Sequence, residues 1–260
     1  MTLRALRVLG EADLLLAEDT RRTRVLLERH RIEARPRSLH AHNEAARTGE
    51  VLERLSEGAQ VALVSDAGTP LISDPGERLV AAVVEAGFDV VPVPGASAVL
   101  AALSVSGLPT QPFTMLGFLP RKAGARDALL ERFRASSETL VLFESPRRLP
   151  QTLRRLAELL GPRRACVARE LTKLHEEVAR GDLAQLAQRY AEGARGEVTV
   201  VVAGAEASAA DTAPEVLDAE IRARLAAGEP SKQIASALSG RGLARREIYA
   251  RVLALREAAD

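Results

Sequence analysis

The chain has 260 residues, 47% hydrophobic and 27% charged, with a formal net charge of +1. That length holds one large or two medium domains, each with its own core. The near-neutral balance excludes a global field driving the chain onto nucleic acid or a membrane surface, and no apolar run approaches the length of a membrane span. The basic residues are lopsided: Lys122, Lys173 and Lys232 are the only lysines and the rest are arginine. Arginine suits bidentate phosphate contacts, and codon bias in a GC-rich genome explains the same excess. The single cysteine, Cys166, lies in the apolar run ACVA and reads as a core residue without an intrachain partner.

Taken in chain order, Leu3, Leu6, Val8, Leu9, Ala12 and Leu15 follow helical spacing from the outset, with no leading strand and no cap. Charges interrupt this stretch, so it reads as no signal peptide, and the expectation is a cytoplasmic enzyme or binding protein. LLLAED (Leu14 to Asp19) reads as a buried strand, and TRRTRVLLERHRI as a helix capped by Thr20. RPRSLHAHNEAART runs from a short strand into a loop, GEVLERLSEG is a helix closed by Gly58, and VALVS is a strand. DPGERLVAAVVEAG is a helix with Asp74 as N-cap, Pro75 at the first helical position and Gly87 at its end. DVVPV (Asp89 to Val93) reads as a strand and GASAVLAALSVSG as a helix. Short apolar strands alternating with helices predict a parallel sheet covered on both faces.

PTQPFTMLGFLPRKAGAR (Pro109 to Arg126) breaks the alternation and marks a domain boundary. The pattern then restarts as mixed α/β: helix DALLERFRAS, strand ETLVLFES, helix PRRLPQTLRRLAELLG, strand RRACVARELT, helix GDLAQLAQRYAEG and strand EVTVVVAG. AEASAADTAP is a small-residue linker before a wholly helical end. There SKQIASALS, with Ser231 its cap, and ARREIYARVLAL flank Gly240 and Gly242 in a helix-turn-helix-like pattern. Arg241, Arg245 and Arg246 give it a nucleic-acid reading, beside an equal reading as a packing or dimer module. The expected domains are 1–109, 110–206 and 214–260.

Chemistry concentrates at strand ends. SDAGTPLISDPG (Ser65 to Gly76) packs two aspartates, two prolines and two glycines after an apolar strand. Prolines stiffen such a loop and glycines allow close approach. It lacks the GxxxxGK[ST] phosphate pattern, and no His or Cys lies nearby, so no metal is expected. PVPGASAVLAAL (Pro92 to Leu103) leaves small residues at a helix start, where a flat group could lie or a helix could pack closely. Glu18, Asp19, Arg21, Arg22, His40, His42 and Asn43 end the two preceding strands and gather on the same rim. FESPRR and ARELTKLHEE are the matching strand ends of the second half, where Glu144 and Glu170 could each pair with an arginine.

In that order, SDAGTPLISDPG, PVPGASAVLAALSVSGLP, FESPRR and ARELTKLHEE resemble the tetrapyrrole-methylase superfamily, a two-domain α/β fold (class III S-adenosylmethionine methyltransferases), here with a C-terminal helical extension. AEDTRRT and HNE narrow the resemblance to the bacterial ribosomal RNA small subunit methyltransferase I family (RsmI). The resemblance implies a homodimer that uses S-adenosylmethionine to methylate the ribose 2′-oxygen of a cytidine in the decoding region of 16S rRNA. It further implies that Asp66, Thr69, Ser97 and Ala98 line the cofactor cleft from the first domain and Phe143, Glu144, Ala168 and Leu171 from the second. Glu18, Asp19, His40 or water would be the base, and Arg21, Arg22, Arg147 and Arg148 would meet RNA phosphates. Rival readings are a methylase of a tetrapyrrole or protein side chain, or a catalytically inactive RNA-binding factor. One departure stands out: family members open with a strand and a PIGN-type loop before TLRAL, which here follows Met1 directly. A sheet lacking that strand is expected to expose unpaired edges, with weak S-adenosylmethionine binding and poor stability.

Overall fold

The computed structural model describes residues 1–206, 214–238 and 245–257. The amphipathic opening is helix α1 (Leu3–Glu11), and it does carry a cap: the Thr2 hydroxyl accepts from the Ala5 N–H at 3.2 Å. Leu15 leaves the helical pattern for strand β1 (Leu14–Ala17), all four of whose residues are buried. Helix α2 (Thr20–Arg29) is capped by Asp19 and not by Thr20, because Asp19 keeps extended backbone and its carboxylate reaches the Arg21 N–H at 2.8 Å. Strand β2 (Arg37–Ser38) is short. Helix α3 (Glu44–Ser56) takes in the stretch EAART that reads as loop. Asn43 makes this possible by tying the turn ahead of it. Its amide oxygen accepts from the His40 N–H at 2.8 Å, and its nitrogen donates to the Ser38 carbonyl at 3.0 Å.

Strand β3 (Val61–Val64) completes a parallel sheet in the order β2-β1-β3. The alternation of β1 splits its side chains between two cores. Leu15 packs with Leu9 and Leu27 on one face; Leu14 and Leu16 pack with Val51, Leu79 and Val83 on the other. The expected strand Asp89–Val93 does not form. A strand needs a ladder partner, and among the described residues β3 pairs with β1 alone, leaving Val90 and Val91 47% and 64% exposed.

Helix α4 (Glu77–Glu85) starts later than DPGERL suggests, with Gly76 as its cap and Asp74 and Pro75 in the preceding loop. Gly76 sits at φ 122°, a conformation strained for any L side chain, and a Cβ there would lie 2.7 Å from Leu63 Cδ2 and push that side chain aside. Helix α5 (Ala98–Ser106) is capped by Ser97. The Pro/Gly-rich break contains strand β4 (Phe113–Phe118), which the flanking prolines obscure.

Helix α6 (Ala123–Glu131) begins inside the stretch expected to be the domain boundary and stops before Arg132, so only the DALLE half of the expected helix DALLERFRAS is helical. Strand β5 (Thr139–Glu144), helix α7 (Leu149–Leu160) and strand β6 (Arg164–Arg169) follow as expected. Strand β7 (Glu177–Asp182) was not expected: EVARGD has only two apolar side chains, and its identity comes from pairing with β6. Helix α8 (Leu183–Arg189) and strand β8 (Val198–Val202) finish a mixed sheet ordered β4-β5-β8-β6-β7. Helix α5 packs on this second sheet, where Val99, Ala102 and Leu103 share a core with Val141, Cys166, Ala168 and Val201.

The chain forms two compact units, Met1–Glu131 with Thr139–Ala203, and Arg132–Glu138 with Gly204–Asp260. In the second, helices α9 (Pro214–Ala226), α10 (Ser231–Leu238) and α11 (Arg245–Glu257) share a core of Ile221, Ile234, Leu238, Ile248 and Val252. Ser231 is buried, and its hydroxyl has no hydrogen-bond partner among the described residues, so it is not the cap expected of it. The Pro230 carbonyl already takes the Gln233 and Ile234 N–H groups. Arg245 and Arg246 are exposed on α11, whereas Gly240, Arg241, Gly242 and most of the expected linker lie outside the described residues.

Candidate functional site

Parallel sheets present their chemistry at the carboxyl ends of the strands. Here β1 and β3 end in register, Ala17 beside Val64, so Glu18 and Asp19 emerge next to Ser65 and Asp66. The two strand ends are laced together. Asp66 Oδ1 accepts from the Asp19 N–H at 3.1 Å, and the Asp66 N–H faces Glu18 Oε2 at 3.4 Å. Arg22 Nε lies 3.5 Å from the other Asp66 oxygen.

Three carboxylates converge at this rim. Burial pushes the Glu18 carboxyl up, the Asp66 N–H pulls it back, and the charges of Asp74 and Asp66 push it up further. Asp74 is raised likewise, first by burial and then by Asp66, with the Ser65 hydroxyl opposing. Asp19 behaves oppositely: the Arg21 side chain and N–H hold its carboxyl well below the usual range. The loop between these acids is strained, with Leu71 at φ 74° and Ser73 at φ 69°. Its far side reaches the second sheet. The β4 register shifts between Met115 and Gly117, and Gly117 sits at φ 64°, where a Cβ would stand 3.0 Å from Ser73 Oγ.

The strand ends of the second sheet are built differently. The Glu144 side chain is fully buried, accepting from Thr152 Oγ1 at 2.6 Å and the Ser145 N–H at 2.7 Å, with Arg148 Nε at 3.4 Å. Glu170 accepts from Lys173 Nζ at 2.8 Å and the Glu197 N–H at 3.0 Å, and Lys173 before all else holds it below the usual range. Phe143 and Leu171 are half-buried against the core that holds Ala168 and Val99.

Residues 1–187 match the family described as Tetrapyrrole (Corrin/Porphyrin) Methylases. The chain is 44% identical over 260 residues to a Mesorhizobium japonicum protein named Ribosomal RNA small subunit methyltransferase I, covering 99% of this chain and 88% of that one. A Mycobacterium tuberculosis protein of the same name is 47% identical over 250 residues, 94% and 87% of the two chains. The chain belongs to the ribosomal RNA small subunit methyltransferase I family. Among solved structures, uroporphyrin-III-C-methyltransferase from Thermus thermophilus superposes with a TM-score of 0.52 at 24% identity, covering 77% of this chain and 87% of that one, a likeness of fold.

In this methyltransferase I family member the residues singled out from the sequence sort into three groups. Glu18, Asp19 and Asp66 meet at the first rim, and Thr69 is exposed on the loop beyond them. Ala98 begins α5 one residue from Val99, in the same core region as Phe143, Ala168 and Leu171. Ser97 uses its hydroxyl to cap that helix, 3.5 Å from the Leu100 N–H. The third group is committed to structure. Glu144 is sealed, Arg148 donates to the Leu119 carbonyl at 3.1 Å as well as facing Glu144, and Arg21 pairs with Asp19. Arg147 is exposed, and the His40 ring lies edge-on to His42, 6.0 Å between centroids.

Two contributors escaped the sequence reading. Asp74, taken for a helix cap, belongs to the acidic rim. Glu44, 7% exposed, reaches from α3 to accept the Leu79 N–H at 3.1 Å and so caps α4 from outside. A clue to the first was available: Gly76 directly before ERLV can cap without a side chain, which frees Asp74. Nothing local signals the second. Among the described residues no group of three or more His, Cys, Asp and Glu is arranged to hold a metal.

Proposed function

We propose that this chain methylates the ribose 2′-oxygen of a cytidine in the decoding region of 16S ribosomal RNA, with S-adenosylmethionine as donor. The observation that carries the reading is the Glu18 carboxyl, made more basic at an open strand end, in a chain 44% identical over 99% of its length to a protein named for small subunit rRNA methylation. Bound S-adenosylmethionine supplies an electrophilic methyl group on a sulfonium.

The chain's residues fit that donor. Asp66 offers a carboxylate to its ammonium or sulfonium charge. A Cβ on Gly95 would meet nothing within 4 Å, so open space lies over the backbone before Ser97 and Ala98. Phe143 and Leu171, half-buried over the core that holds Ala168, give apolar surface for an adenine, Thr69 closes the loop side, and Glu144 contributes backbone alone. Glu18 takes the proton of the 2′-hydroxyl, a role that a raised carboxyl performs better than Asp19, which Arg21 holds ionised and weakly basic. Of the arginines at the two rims, exposed Arg147 carries the larger share of RNA contact, and Arg21, Arg22 and Arg148, each already facing a carboxylate, add less. His40 stands near as a positioning group.

In this reading residues 1–109 and 110–206 flank the site, and 214–260 form an RNA- or dimer-binding extension. The chain acts as a cytoplasmic homodimer. Exposed Leu100, Phe113 and Phe118, at 59%, 38% and 55%, supply apolar surface for a second copy. The test is incubation with S-adenosylmethionine and small ribosomal subunits lacking the modification, read by nucleoside mass spectrometry. A stoichiometric gain of 2′-O-methylcytidine supports the proposal; methyl transfer to another nucleoside, or none, refutes it.

A further inference from the structure

Charge is not spread evenly along the chain. Residues 20–37, TRRTRVLLERHRIEARPR, hold seven arginines and two glutamates, although the whole chain has a net charge of +1. Helix α2 and the segment leading to β2 carry this concentration away from the acidic rim. At the rim end the arginines are neutralised: Arg21 pairs with Asp19 at 2.7 Å and Arg22 lies 3.5 Å from Asp66. Further along they are not. Arg24, Arg29, Arg31 and Arg35 are exposed, and among the described residues none of them has an ion-pair or hydrogen-bond partner through its side chain.

Two of these, Arg24 and Arg35, face one recess of about 460 Å³, whose apolar floor is Leu27, Ile32, Ala34 and Pro36. A neighbouring recess shares Ala34 and Arg35 and adds Arg37 and Arg54. In that one Glu50 takes Arg37, and Glu57 takes Arg54 at 2.8 Å. Uncompensated cations therefore sit over apolar floor in the first recess. Unpaired guanidinium forks suit phosphodiester oxygens, and the floor suits a sugar or base face. Glu28, in the wall of the same recess, disfavours a bare anion and offers an acceptor to a ribose hydroxyl. Arg21, Arg24 and Glu28 recur at helical spacing along one stripe of α2, whose ten residues span about 15 Å. The stripe joins the rim to the recess.

We infer that the recess bounded by Arg24 and Arg35 is a second RNA-backbone site, which grips the substrate's sugar–phosphate chain away from the nucleotide being methylated. The inference rests on the rRNA reading above. The site adds affinity and orientation, not chemistry.

The experiment compares the full chain with Arg24→Gln/Arg35→Gln. It measures binding to small ribosomal subunits across a salt series, the KM and kcat for subunits, and S-adenosylmethionine affinity. The expected result is a plot of log affinity against log salt shallower by about 2, roughly one per arginine. KM should rise about tenfold or more, with kcat and S-adenosylmethionine affinity unchanged. An unchanged slope and KM in a wild type that methylates subunits overturns the site and leaves the rRNA reading standing. A shallower slope in a wild type that binds subunits without methylating them keeps the site and removes that reading. A wild type that neither binds nor methylates overturns both. Inorganic phosphate at matched ionic strength is not expected to compete; competition by phosphate would make the recess a free-anion site and overturn the RNA assignment.

Discussion

The two sheets of the first compact unit end in carboxylates, and the two sets are handled in opposite ways. Glu144 and Glu170 on the second sheet are satisfied by Thr152, Arg148, Lys173 and backbone N–H groups. Glu18, Asp66 and Asp74 on the first sheet crowd one another, with Arg22 the nearby cation. A fully paired acid stabilises a fold and is chemically inert. A crowded, half-buried acid destabilises the ionised form and gains basicity. The comparison thus separates a scaffold end from a reactive end, although both strands finish in an acid.

Replacing Glu18 tests the reactive end and carries the largest expected effect. Glu18→Gln keeps the shape and the acceptor for the Asp66 N–H while removing the base, so kcat should fall by about 10²–10⁴-fold with substrate affinity retained. Asp19→Asn serves as the contrast. It keeps an α2 cap, since asparagine caps a helix as well as aspartate does, weakens the Arg21 pair, and lowers kcat far less. Equal losses of kcat in the two variants would remove the distinction between them.

Glu144→Ala tests the scaffold end. It strands Thr152 Oγ1 in the core and leaves Arg148 without its buried partner, for a destabilisation of about 3 kcal/mol by denaturant unfolding. The pH profile of kcat in the surviving folded enzyme should match the wild type. A shifted profile would show that Glu144 takes part in the proton transfer.

The same contrast explains what could be read from the sequence. The alternation of short apolar runs with helices, and the acidic loop after VALV, follow from local pattern, and both are found in place. What escaped is defined by pairing across space. EVARGD is a strand because β6 binds it, and DVVPV is not one because no ladder reaches it. Thr20 and Asp74 both looked like caps, yet Asp19 and Gly76 cap those helices. Capping depends on which residue holds extended or positive-φ backbone, a property decided by the preceding strand or loop. Glu144 and Glu18 follow strands of similar composition, and only their surroundings separate inert from basic. The loop that approaches the second sheet could be recognised as stiff, but the glycine that admits it, Gly117, lies some 40 residues further on within a strand hidden by prolines.

Gly117→Ala sharpens that last point with a smaller effect. The new Cβ would press on Ser73 Oγ and occupy φ 64°, a left-handed conformation costing about 1–2 kcal/mol for an L-residue. Ser73 lies in the loop that carries Asp66 and Thr69, so the variant should bind S-adenosylmethionine more weakly while kcat at saturation is retained. Calorimetric titration checks this. Unaltered affinity together with the expected loss of stability would mean the loop yields locally without moving Asp66.

The smallest effect concerns stability against pH, and its sign separates the two ends most cleanly. Glu18 and Asp74 are raised in the folded state, so their contribution favours folding at low pH and is lost as pH rises through the raised values. Asp19 and Glu170 are lowered, so theirs is present above the ordinary carboxylate range and lost as pH falls. Glu18→Gln removes one member of the crowded set. It should therefore be more stable than wild type at neutral pH, by less than about 1 kcal/mol for a half-buried group still screened by solvent. The difference should shrink to nothing below the ordinary glutamate value of 4.5. Glu170→Gln should do the reverse, being less stable at neutral pH and converging with wild type in acid. Denaturant unfolding of both variants at several pH values reads the two signs directly. If both variants were destabilised at neutral pH, Glu18 would be a paired scaffold acid like Glu170, and the basicity assigned to the first rim would have no source.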